Sequence, residues 1–131
     1  MIPQAISNDE FRIKIGELCE NDETIYSLTG KSWHKIESTK FSNNGIGAYN
    51  IRYMSGGLAI VNHQSLWELY NLLWNSDSKK LTNIEMEHGG YAKLDWKRWF
   101  TPGSAMLAVL PYIDPQIMVT KNPAGLIIRG D

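Results

Sequence analysis

The chain has a single cysteine, no long apolar run and almost no net charge. Because Cys19 is alone, an internal disulfide and a zinc site built from several cysteines are both excluded. No apolar stretch approaches the roughly 20 residues of a membrane-spanning helix. Residues 1–6 have neither the basic lead nor the long apolar run of a signal peptide. These absences predict a cytoplasmic protein that does not enter a membrane.

The net charge of −1 argues against a strongly basic nucleic-acid binder, but the charge is unevenly distributed. Residues 1–23 carry two basic side chains against six acidic ones, whereas residues 24–61 carry four against one. Residues 79–131 carry seven basic and five acidic side chains. If the two positive segments share a face, they produce a local positive field. A mixed, solvated surface is the alternative.

The first half of the chain predicts one helix and several strands. Ser7 and Glu10 have the spacing of a capping box, and Phe11, Ile15 and Leu18 follow at helical spacing. The predicted helix ends near residues 20–21. Beyond it, β-branched, aromatic and alternating residues lie between turns that contain glycine, which is typical of antiparallel strands.

The second half predicts three helices followed by a hairpin. Asn62 is the expected N-cap of a helix over residues 63–75, and residues 81–88 suit a short helix closed by glycines. Thr101 and Pro102 are typical of a helix start, and that helix should end near Pro111. Residues 116–120 and 126–129 flank a turn, which predicts two paired strands.

This order of elements is that of a winged helix-turn-helix, in which the third helix is the recognition element and residues 117–129 are the wing. We therefore predict an α+β fold in one domain, 1–131. An N-terminal helix (1–22) and a small antiparallel β segment (23–61) would pack on a winged-helix-like segment (62–131). Three helices and a hairpin also occur in many other small domains.

Three short stretches carry a family resemblance. TIYSLTGKSWHKI (24–36), KKLTNIEMEHGG (79–90) and SAMLAVLP (104–111) resemble parts of a small DNA-recognition module found beside bacterial restriction endonucleases of the modification-dependent and HNH kinds. The resemblance covers roughly residues 24–113. It implies a module that recognises DNA in a restriction or phage-defence context and that accompanies, or once accompanied, a nuclease. Residues 91–100 look inserted, and the 131 residues contain no nuclease domain. We therefore expect a stand-alone relative of the module, a fragment, or a phage or mobile-element protein.

The stretch WKRWFTPGSAMLAVLPYI (96–113) holds the densest group of candidate nucleic-acid contacts. Basic side chains neutralise phosphates, indole rings stack on bases, and a helix start offers free N–H groups. Because the third helix has few side chains that read base edges, we expect phosphate or shape recognition. The predicted nucleic-acid-binding residues are Lys31, His34, Lys35, Arg52, Lys93, Trp96, Lys97, Arg98, Gly103, Ser104 and Lys121.

Two other classes of function stay open. Five tryptophans and six tyrosines suit a protein-interaction module, such as an inhibitor, immunity protein or assembly subunit. Asp95-Trp96-Lys97 resembles the carboxylate-x-lysine end of a metal-dependent nuclease motif. The acidic residue that the motif needs earlier in the chain is missing. On a helix, Glu85 and His88 would lie on one face and Glu87 on another. Two ligands of this kind make at most a weak metal site. The prediction is therefore non-catalytic DNA binding, with no catalytic residue, metal or cofactor. The expected partner is DNA or another nucleic acid, and a nuclease or other protein is a second candidate partner.

Overall fold

The computed structural model describes residues 4–42, 45–76, 78–82, 103–121 and 124–129. Within these ranges the chain forms three α-helices and seven strands in two antiparallel sheets, which confirms the predicted α+β class. The helices are α1 (Asn8–Glu20), α2 (His63–Asn75) and α3 (Gly103–Ile113). The strands are β1 (Ile25–Tyr26), β2 (Trp33–Ser42), β3 (Gly45–Tyr53), β4 (Leu58–Asn62), β5 (Lys80–Thr82), β6 (Ile117–Thr120) and β7 (Gly125–Ile128).

Two helices begin where the sequence predicts. The Ser7 hydroxyl caps α1 by accepting the Glu10 N–H at 3.2 Å. The Asn62 side chain caps α2 by accepting the Ser65 N–H at 3.1 Å. Each cap satisfies a backbone donor that has no partner within the first turn of the helix.

The first sheet has the order β1-β2-β3-β4, with every pair antiparallel. Residues directly opposite each other in such a sheet project from the same face. Ile36, Ile51 and Ala59 form one row of the inner face, and Tyr49 and Val61 belong to the next. These residues are buried or packed against the core, and α1 and α2 contact the same sheet.

The second sheet has the order β5-β7-β6, and its β6–β7 hairpin confirms the hairpin predicted over residues 116–129. The short helix predicted over residues 81–88 is wrong at its start, because Lys80–Thr82 is a strand. Leu81 lies opposite Leu126 and is buried there. Pairing with the distant β7 gives Leu81 an apolar partner, so the tertiary contact overrides the local helical pattern. Residues 83–88 lie outside the described residues.

Helix α3 lies in the core, where it contacts α1, α2, β1, β6 and β7. The four consecutive residues Leu107–Leu110 are all buried, so every side of this turn faces protein. The predicted end near Pro111 is wrong, since the helix continues to Ile113. Proline removes one backbone donor, but the Asp114 N–H donates to the Leu110 carbonyl at 2.9 Å and completes the last turn.

A buried polar network joins α2 to the segment after α3. The Tyr70 hydroxyl donates to Asp114 Oδ2 at 2.6 Å and accepts the Ile6 N–H at 2.9 Å. Gln116 donates to Asp114 Oδ1 from its backbone N at 3.0 Å and from Nε2 at 3.1 Å. Because Asp114 is fully buried, its carboxylate depends on these donors. Burial, followed by the bond to Asp114, raises the pKa of Tyr70, which stays protonated and able to donate.

Side chains from all three helices and both sheets form one core cluster. The longest described helices have 13 residues. No helix in the described ranges combines the length and apolar character needed to cross a bilayer.

Candidate nucleic-acid surface and adjoining pocket

Three basic residues lie on the outward face of the first sheet. Lys35 pairs with Arg52, and Lys40 pairs with Ala48 on the same two strands. Lys35 and Lys40 are five residues apart, so regular alternation would place them on opposite faces. An extra residue in β2 between Ile36 and Ser38 shifts the register by one. The bulge brings Lys40 onto the face of Lys35 and Arg52. We call Lys35, Lys40 and Arg52 the basic face.

Two of the three charges on the basic face have acidic partners. Lys35 Nζ lies 3.0 Å from Asp22 Oδ2, and Arg52 donates to Glu37 Oε1 from Nε at 2.9 Å and also from a terminal nitrogen. All four side chains are at least partly exposed. Exposed ion pairs contribute about 0–1 kcal/mol, so a phosphate could replace either carboxylate at small cost.

The same face carries polar and apolar side chains beside the charges. Asn50 Nδ2 donates to Ser38 Oγ at 2.8 Å. On the neighbouring strand β4, Leu58 lies opposite Arg52 and is 62% exposed, and Ile60 lies opposite Asn50 and is 47% exposed. The basic face therefore borders an apolar edge.

His34 does not belong to the basic face, although the sequence groups it with Lys31 and Lys35. It pairs with Tyr53 on the inner face and is 4% exposed. The two rings make an edge contact with centroids 6.3 Å apart. Burial lowers the pKa of His34 to about 4, so the imidazole is uncharged at neutral pH. Its Nε2 atom has no hydrogen-bond partner among the described residues.

A pocket of about 180 Å³ lies between the first sheet and the N-terminal half of α3. His34 and Tyr53 form its aromatic side, and Ala105 and Ala108 form its side on α3. The remaining lining comes from Trp33 and from the loop between β1 and β2, which contributes Ser27, Leu28, Thr29 and Ser32. Sequence reasoning missed Tyr53 and the two alanines. The sequence did contain one indication of the alanines' role, because they are three residues apart and therefore lie on one helical face.

A second, more apolar groove of about 320 Å³ runs between α1 and the ends of β2 and β3. Ile13 and Phe41 line it and are exposed, and Cys19 lies beside them. Burial, followed by the charges of Glu20 and Asp22, raises the pKa of the Cys19 thiol. A thiol of this kind is a poor nucleophile at neutral pH.

The other predicted contact residues fall into two groups. Lys31 and Lys121 are exposed in loops, while Gly103 and Ser104 form the first turn of α3. Lys93, Trp96, Lys97 and Arg98 lie outside the described residues, as do Glu85, Glu87, His88 and Asp95. In the described part of the chain, no group of three or more histidine, cysteine, aspartate or glutamate side chains is arranged to hold a metal ion.

Comparison of the chain with models of protein families, with curated proteins and with solved structures found no match.

Proposed function

We propose that this protein is a non-catalytic nucleic-acid-binding module whose basic face contacts phosphates. The observation that carries the proposal is the register of the first sheet, which brings Lys35, Lys40 and Arg52 onto one outward face. Lys31, in the loop that precedes β2, is a further exposed positive charge. Phosphate contacts of this kind supply affinity and orientation, whereas base contacts supply sequence specificity.

Helix α3 reads no base edges along its length in this proposal, because Leu107–Leu110 are buried. The winged helix-turn-helix stays part of the proposal as a source of further backbone contacts. It is supported by α3 leading directly into the β6–β7 hairpin, with Lys121 and Arg129 exposed at that hairpin. DNA as the ligand, and the restriction or phage-defence setting, rest on the short motifs at residues 24–36, 79–90 and 104–111.

Neutralising the basic face should reduce the salt dependence of duplex DNA binding. Log affinity falls with log salt, and each phosphate contact makes that slope steeper by about 0.9. Lys35→Gln/Lys40→Gln/Arg52→Gln removes three contacts, so the slope should become shallower by roughly 2.7. The slope is measured by fluorescence anisotropy between about 50 and 200 mM salt. Lys14→Gln, on α1 and beside Glu17, should leave it unchanged. A triple variant with the wild-type slope would show that this face is not the contact surface.

Removing the acidic partner of Arg52 should have the opposite effect. Glu37→Gln deletes a negative charge from the basic face and frees the guanidinium, so duplex DNA should bind more tightly at low salt. Anisotropy titration of the variant beside the wild type measures this change. Weaker binding would mean that the pair with Glu37 holds Arg52 in its binding position.

The alternative is a protein-interaction module, and the exposed edge of β4 favours it. Leu58 and Ile60 are exposed there, with Met54 exposed in the preceding turn. Within the described residues β4 pairs with β3 alone, and an apolar strand edge can pair with another chain. Absence of duplex binding even at low salt would favour this function over the first.

A further inference from the structure

The pocket between the first sheet and α3 has the properties of a ligand site rather than of a packing defect. Its volume of about 180 Å³ corresponds to roughly six water molecules. Pockets that bind drug-sized ligands have volumes of roughly 300–1,000 Å³. This pocket is smaller, so it suits a single ring system. Aromatic and alanine side chains line it together with the hydroxyl-bearing residues Ser27 and Ser32.

The imidazole of His34 supplies an unused polar group in this wall. A neutral imidazole has one donor and one acceptor nitrogen. Nε2 of His34 is buried without a partner in the described part of the chain. A buried polar atom of this kind normally has a hydrogen-bond partner, and a molecule in the pocket would lie against the same ring.

We propose that this pocket binds the planar ring of a nucleobase. Tyr53 and His34 offer aromatic contact to the ring, and Ala105 and Ala108 leave room for it where larger side chains would fill the space. The His34 imidazole and the Ser32 hydroxyl supply hydrogen bonds to ring nitrogens and exocyclic groups. Ser27 Oγ already accepts the Ser32 N–H at 3.3 Å and lies 3.3 Å from Thr29 Oγ1, so it holds the loop in place. Lys31 lies in the same loop as Thr29 and Ser32, next to the pocket, where it can neutralise an attached phosphate.

The inference rests on the proposed function, because it assigns the pocket to the class of ligand that the basic face binds. The base could come from a free nucleoside or from an unstacked position in a strand. Removing a base from a duplex costs stacking and pairing energy, so a single strand is the less costly donor. Titration with nucleosides and, separately, with a single-stranded oligonucleotide distinguishes these two sources.

The test is a nuclear magnetic resonance titration of the full chain, labelled at histidine. Ring signals of His34, assigned with His34→Asn, are followed while nucleosides, a short single-stranded oligonucleotide or a duplex are added. His63 serves as the internal control, since it is equally buried but does not line the pocket. A saturable shift of His34 alone with a nucleoside supports the pocket and a free-base source. A shift with the single strand alone supports the pocket and a strand-borne base.

A second variant tests the stacking contact. Tyr53→Leu should weaken the titration of His34 about tenfold, within the range of base–aromatic stacking. Tyr26→Leu is the matched control, because Tyr26 is 54% exposed and does not line the pocket. Equal weakening by both variants would overturn the stacking role of Tyr53.

No shift of His34 with any ligand at millimolar concentration would overturn the proposal and leave the pocket to water. If the duplex still bound with its steep salt dependence, only the pocket would have failed. If nucleosides shifted His34 while the basic-face variant bound duplex like the wild type, the surface would have failed and the pocket would stand.

Discussion

Tyr70→Phe is expected to lower the free energy of unfolding by about 1.5–3 kcal/mol, the range for a hydrogen bond to a charged group. The substitution removes the hydroxyl that donates to the buried Asp114 carboxylate at 2.6 Å. It also removes the acceptor of the Ile6 N–H. The ring itself stays, so the apolar contacts of Tyr70 with the core are retained. Urea denaturation monitored by circular dichroism measures the change.

Tyr49→Phe is the matched control, because both tyrosines are fully buried. The Tyr49 hydroxyl has no hydrogen-bond partner in the described part of the chain, and burial raises its pKa. Removing a buried hydroxyl without a partner should leave stability unchanged or increase it. An equal loss in both variants would mean that removal of any buried hydroxyl, and not loss of the bond to Asp114, determines the effect. A double-mutant cycle with Asp114→Ala isolates the coupling between the two residues.

The folded state is expected to lose stability as the pH falls from about 6.5 towards about 4. Burial lowers the pKa of His34 from 6.5 to about 4, and burial together with the Arg12 guanidinium does the same for His63. Between these values the unfolded chain binds protons that the folded chain does not, so acid favours unfolding. The folded state has its full stability above the pKa of histidine in the unfolded chain, 6.5. It loses stability as the pH approaches the pKa of the two histidines in the folded chain, about 4. Each histidine contributes at most about 1.4 kcal/mol per pH unit, and less where water screens the ring.

Urea denaturation at pH values from about 7 to about 4.5 checks this dependence. His34→Phe/His63→Gln removes both titrating rings, while the glutamine retains an acceptor for the Arg12 Nε donor, which lies 3.2 Å from His63 Nε2. The variant should lose less stability than the wild type over the same range. Carboxylate titration is common to both proteins, so it cancels in the comparison. Identical slopes would assign the acid sensitivity to groups other than these histidines.

The features predictable from sequence are those that a few neighbouring residues determine. Ser7 and Asn62 cap their helices through bonds that span three residues, and alternation in residues 23–61 predicts strands. Lys35 and Arg52 were also identified as candidate contacts, since the sequence alone shows basic residues within predicted strands. Their common face follows only once the register is known.

The features that sequence reasoning missed depend on distant partners. Lys80–Thr82 is a strand because β7 lies beside it, some 45 residues later in the chain. His34 occupies a polar position in a strand that alternates apolar and polar residues, which predicts an exposed side chain. In the structure it lies on the inner face, opposite Tyr53. Nothing near Asp114 in the sequence indicates a buried carboxylate, because its partner Tyr70 lies 44 residues earlier, on α2.

The bonds between the two ends of the described chain also bear on how the protein folds during synthesis. Gln116 Nε2 donates to the Gln4 carbonyl at 2.9 Å, and the Tyr26 N–H donates to the Tyr112 hydroxyl at 3.1 Å. Helix α3 contacts both α1 and β1. An emerging chain therefore cannot complete the core around its first helix until α3 has been made. Contacts so distant in sequence slow folding and leave apolar surface exposed until the last helix has been added.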